Sequence, residues 1–158
     1  MPSDIQIDYL ANHPEHVPTL AKWFWEEWKA FYTGKTEADV AKSIRERLNV
    51  DRIPLALIAL QNEQPVGTVC LKHHDMDTRR DLGPWLAGMY VERANRRKGI
   101  GSQLVDSILL EASSLGITHL YLHTPNAEGF FSKLNWSVLE RTTYKELSVT
   151  IMERTDFV

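Results

Sequence analysis

The sequence has one cysteine, Cys70, so no disulfide within the chain can brace it. Its neighbours Val69 and Leu71 are apolar, and the thiol reads as a small core residue of a buried strand rather than a nucleophile. No apolar run approaches the roughly 18 residues of a membrane span. The opening MPSDIQIDYL also lacks the basic and apolar regions of a signal peptide. A cytoplasmic location without a membrane partner is therefore expected. Neither charge sign prevails: 18 Lys and Arg stand against 21 Asp and Glu, a formal net charge of −3. That balance argues against a nucleic-acid partner. Repeats, low-complexity tracts and linkers are absent as well. A chain of 158 residues, 43% hydrophobic and 25% charged, suits one core and hardly two. One domain over 1–158 is expected.

Periodicity supplies the elements. Ile5 to Tyr9 alternates like a short strand. After His13-Pro14, the residues Val17, Leu20, Phe24, Trp28 and Phe31 mark the buried face of a helix that stops near Gly34. Thr36 reads as the cap of a second, more polar helix running to about Leu48. Strands follow at 55–60 and 66–71, then a polar loop over 72–84 and a strand over 85–91, where Gly88 suggests a bulge or a close backbone approach. Ile100, Leu104, Ile108 and Leu115 form the stripe of a longer helix ending at Gly116. A strand over 118–124, a short helix over 127–134 and two strands near 136–143 and 147–153, with a turn at Lys145-Glu146, complete the order. It is that of a mixed α/β fold.

One stretch asks for a ligand. Residues 96–101 read Arg-Arg-Lys-Gly-Ile-Gly, at the mouth of the long helix. Glycine lets a ligand approach the backbone, and a helix N-terminus offers unpaired N–H groups and partial positive charge. Such a place suits phosphate, and the adjacent cations suit more than one. Leu104 breaks the dinucleotide pattern G-x-G-x-x-G, and Ser102-Gln103 replaces the P-loop ending.

Arg96-x-x-Gly99-x-Gly101, between a strand and an amphipathic helix, resembles the [Q/R]-x-x-G-x-[G/A] signature of the GNAT acetyltransferase superfamily. Ala127 to Trp136 is similar to that family's A-x-x-F-Y-x-K-L-G-F segment. The resemblance implies a mixed, mostly antiparallel sheet with splayed central strands flanked by helices. It implies acetyl coenzyme A as co-substrate, with its pantetheine arm beside the backbones of Met89, Tyr90 and Val91. Its pyrophosphate would lie on Arg96, Arg97, Lys98, Gly99, Ile100, Gly101 and Ser102. Thr124 takes the place of a common Asn, with Asn126 as substitute, and Phe130 and Phe131 complete the expected coenzyme contacts.

The expected activity is acetyl transfer to a primary amine by direct attack. The alternatives are a peptide N-terminus or lysine acceptor, and a non-catalytic coenzyme A sensor. Family members are often dimers, so a homodimer is carried over. Phe131 stands where the family has a tyrosine that protonates the leaving thiolate, and a phenyl ring has no proton to give. Tyr144, at the last turn, is the expected stand-in. For the base, Glu92, the His73-His74-Asp75 cluster and His123 stay open. No metal is expected: His119 and His123 share a strand face but lie about 13 Å apart. The aromatic cluster from Trp23 to Tyr32 suits core packing, with an acceptor wall as the further reading.

Overall fold

A computed structural model describes residues 4–155 and 157. Seven strands form one sheet: β1 (Gln6–Tyr9), β2 (Leu55–Gln61), β3 (Gln64–Lys72), β4 (Trp85–Val91), β5 (Leu120–Thr124), β6 (Ser137–Tyr144) and β7 (Leu147–Arg154). Their order across the sheet is β1-β2-β3-β4-β5-β7-β6. Every neighbouring pair is antiparallel except β4 and β5, which are parallel. The helices are α1 (Val17–Trp28), α2 (Glu37–Arg45), α3 (Ile100–Ser114) and α4 (Glu128–Lys133).

Both faces of the sheet are covered, which explains the continuous apolar runs of β2 and β3. On one face the α3 stripe of Ile100, Leu104 and Ile108 packs with Leu57, Val69, Leu86 and Leu122. On the other, Leu20 and Phe24 of α1 and Val40 and Ile44 of α2 cover Ala56, Ile58 and Cys70. Burying each large side chain of these stripes contributes roughly 1.5–3 kcal/mol. A third cluster joins Met76, Trp85, Tyr144, Val149 and Ile151 beside the second face.

Local chemistry sets the boundaries. Thr36 and Asp39 form a reciprocal capping box at the start of α2. Lys145 and Glu146 adopt φ of 49° and 69°, as a two-residue hairpin turn requires. Two helices end earlier than their stripes suggest. Trp28 leaves helical backbone, and Lys29–Phe31 is a tight 3-10 turn, so Phe31 packs with the third cluster. α2 closes at Arg45, and tight bonds from Arg47 N to Ile44 O and Leu48 N to Arg45 O take over. The loop after β3 is not wholly solvent-facing either, since Met76 is only 1% exposed.

Candidate active site

Parallel strands β4 and β5 meet at one ladder pair, Trp85 with Tyr121, reinforced by Tyr121 N donating to Pro84 O at 3.1 Å. No later pair joins them, so a slot opens between their C-terminal halves. Gly88 lies on its rim. Its φ of +55° accompanies a register shift against β3 between Thr68 and Cys70, a bulge, which is one of the two readings the sequence offers for this glycine.

At the mouth of the slot lies the basic glycine stretch. Arg97 and Gly99 both take positive φ, 65° and 82°, and Gly99 caps α3 without a side-chain bond. The first helical bond runs from Gln103 N to Gly99 O. Among the described residues, the N–H groups of 97–102 have no acceptor. That is an anion cradle of backbone donors, and it fits the pyrophosphate of coenzyme A. Arg97 and Lys98 are exposed beside it. Arg96 is differently engaged: its Nε donates to Val91 O at 2.9 Å, and its guanidinium lies 5.3 Å over the Tyr90 ring. A Cβ on Gly101 would meet Met89 Cε at 3.0 Å and Phe130 Cζ at 3.2 Å, so this glycine is enclosed by two expected coenzyme contacts.

α4 sits across the slot. Thr124 is buried, and its hydroxyl accepts from Ala127 N at 3.0 Å and Asn126 N at 3.4 Å. The side chain thus closes the turn into α4. Asn126 is exposed. Phe131, 6% exposed, is a core residue set edge-on to Phe130 and Trp136.

Polar chemistry gathers on the α1/α2 face. His123 Nε2 lies 3.0 Å from Asp75 Oδ2, and Lys72 Nζ lies 3.2 Å from Asp75 Oδ1. Burial would push the Asp75 carboxyl up, but the His123 hydrogen bond and the Lys72 charge hold it below the usual range. His123 Nδ1 is buried without a partner. Phe31, Trp85 and Tyr144 surround its ring at centroid distances of 6.3, 6.0 and 5.7 Å. Tyr144 is no exposed turn residue: it is 6% exposed, and its hydroxyl accepts from Asp77 N at 3.4 Å. Burial raises its phenol. Tyr32, close by, is pushed up to about 12 by burial, with Arg47 and Asp75 acting on it in opposite directions.

The other base candidates lie apart from this group. His73 and His74 are exposed. His119 pairs with Glu153 at 2.8 Å. Glu92 lines an open depression of about 450 Å³ with His16, Thr19, Trp23 and Asn95, at the far end of β4 from Trp85. Cys70 is 1% exposed, and burial pushes its thiol up. Among the described residues, no three His, Cys, Asp or Glu side chains converge as metal ligands, and no helix is long and apolar enough to cross a membrane. Trp23, off the apolar stripe, stacks on Tyr90 at 5.1 Å. Arg47, 8% exposed, reaches the bulge and was missed in the sequence. Its spacing after Val40 and Ile44 on the apolar face of α2 was the available signal.

Comparison with known proteins agrees with the fold. The acetyltransferase (GNAT) family matches residues 17–136. Among solved structures, aminoglycoside 6'-acetyltransferase type Ii superposes with a TM-score of 0.74 at 21% identity, over 97% of each chain. An aminoglycoside 6'-N-acetyltransferase complexed with coenzyme A gives 0.74 at 18% identity, again over 97% of each chain. An N-acetyltransferase from Staphylococcus aureus Mu50 gives 0.75 at 16% identity, over 97% of this chain and 99% of that one. At such identities the likeness establishes the fold. No curated protein matches the sequence.

Proposed function

Because the chain belongs to the GNAT acetyltransferase family, we propose that it moves the acetyl group of acetyl coenzyme A to a small-molecule primary amine, by direct attack within a ternary complex. One observation carries this reading: the slot that opens beyond Trp85 and Tyr121 leads to a run of unpartnered N–H groups over 97–102. Acetyl coenzyme A supplies an activated thioester, and the chain binds, orients and moves protons. N–H groups from Arg97 to Ser102 hold the pyrophosphate. The backbones of Met89 and Val91 flank the pantetheine arm. Val91 O already accepts from Arg96 Nε, but a carbonyl has a second lone pair to share.

An amine attacks only when neutral, so its proton needs an acceptor. His123 is assigned that role. Extending the Trp85–Tyr121 pairing by two residues brings His123 level with Ala87, next to the Gly88 bulge. When Nε2 donates its proton to Asp75, Nδ1 retains a bare lone pair. Tyr144 beside it is assigned the opposite task. Burial raises its phenol, so it stays protonated at neutral pH, as a donor to the leaving thiolate must. The small-molecule acceptor is supported by neighbours that are aminoglycoside acetyltransferases.

The test is initial-rate thiol release with acetyl coenzyme A against a panel of amines and peptides. Acceleration by small amines, with intersecting double-reciprocal lines, is expected. Thiol release unaffected by every acceptor would overturn the reading.

A further inference from the structure

Arg47 is a cation without a counter-charge. It is 8% exposed, yet among the described residues it forms no ion pair. Its guanidinium has one side-chain hydrogen bond, a long one from Nη2 to Ser43 Oγ at 3.4 Å, and lies 5.9 Å over the Phe24 ring. Its backbone is fixed, with N donating to Ile44 O at 2.9 Å and O accepting from Ala56 N at 3.2 Å. A guanidinium cannot shed its proton, and a charge this enclosed is favoured by an anionic partner. Nearby Asp75 is already held by Lys72 and His123.

The position narrows what is missing. Arg47 Nη1 lies 3.0 Å from where a Cβ on Gly88 would stand. Gly88 is the bulged residue on the rim of the slot, on the face where His123 and Asp75 sit. A Cβ at 88 would also meet Cys70 Sγ at 3.4 Å and Phe24 Cζ at 3.5 Å, so glycine lets the bulged backbone pass close to the guanidinium without a clash. Phe24 flanks the guanidinium with aromatic surface. The arrangement thus offers a fork of donors at the bulge, a carboxylate–imidazole pair joining the loop after β3 to β5, and an aromatic wall.

We propose that Arg47 binds a carboxylate of the acceptor, so that the acetylated substrate is an amino acid or a similar amine bearing an acid group. The inference rests on the acetyl-transfer reading for its choice of site. A planar carboxylate matches the guanidinium fork with two parallel hydrogen bonds and supplies the missing charge. The amine of the same molecule then faces His123.

The experiment measures binding and turnover separately. Calorimetry of the protein with coenzyme A is run against the twenty amino acids and their methyl esters, which differ in the acid charge. At least one free acid is expected to bind about tenfold or more tightly than its ester, the scale of a charged hydrogen-bonded contact. Arg47→Met should abolish that preference with coenzyme A affinity unchanged, and Arg47→Lys should restore part of it. If no free acid outbinds its ester, or if Arg47→Met binds acid and ester as the wild type does, the proposal is overturned; the wild-type comparison decides even if the variants fold poorly. An acid that binds through Arg47 but is never acetylated would uphold this site and defeat the acetyl-transfer reading instead. Acetylation confined to amines without an acid group would do the reverse.

Discussion

Asp75 and His123 meet at 3.0 Å, Oδ2 to Nε2, joining the loop after β3 to the free half of β5. The pair leaves His123 Nδ1 buried and unpartnered beside the slot. His123→Gln is expected to lower kcat by roughly 100-fold, within the range of general-base catalysis, while coenzyme affinity holds. Asp75→Asn should lower kcat less, because Asp75 positions the ring rather than taking the proton itself. A kcat within a factor of two in His123→Gln would remove the histidine from the mechanism.

The same pair makes stability depend on acid. The folded Asp75 carboxyl lies below its ordinary value, so the unfolded chain takes up this proton first as the pH falls. The contribution is complete above about pH 4 and is lost as the pH drops through the depressed folded value. Thermal melts from pH 6 to pH 2 should show a smaller acid loss in Asp75→Asn than in the wild type. Parallel curves would contradict the assignment.

Tyr144 is tested by removing one oxygen. Tyr144→Phe keeps the ring against Phe31 and His123 but loses the proton donor. A fall in kcat of roughly 10- to 1,000-fold is expected, with coenzyme affinity nearly intact. The Asp77 N–H loses its partner too, so a modest drop in melting temperature should accompany it. Full activity would leave water as the donor.

Gly101→Glu puts an anion into the cradle and drives a Cβ against the ends of Met89 and Phe130. Calorimetry with acetyl coenzyme A should then show no measurable binding, while near-UV circular dichroism retains the folded signal. Unchanged affinity would remove 96–102 as the coenzyme site.

Cys70→Ala should keep activity within a few-fold and cost about 1 kcal/mol of stability for the lost buried sulfur. Direct transfer needs no acyl-enzyme. Ping-pong kinetics, or an acetyl group trapped on Cys70 in mass spectrometry, would overturn it.

What the sequence determined by itself is everything set by short-range rules. The α3 stripe at Ile100, Leu104 and Ile108, the Thr36 cap, the Lys145-Glu146 turn and the Gly99 bend each follow from periodicity or backbone sterics within a few residues. The basic glycine stretch before α3 was legible for the same reason, since a helix mouth and its ligand groups are neighbours in the chain. Long-range pairing was not. Nothing in the sequence near Tyr144 shows that it is buried against His123 and Phe31, or that Asp75 leaves His73 and His74 in solvent to meet β5. Phe31 reaches that group because α1 breaks into a tight turn at Lys29, which its apolar stripe conceals. Arg47 looks like one more charge at the end of a polar helix until the Gly88 bulge is folded against it. Those contacts join elements distant in the chain. They were decided where two parallel strands, held at Trp85 and Tyr121, come apart, and only the tertiary structure sets that point.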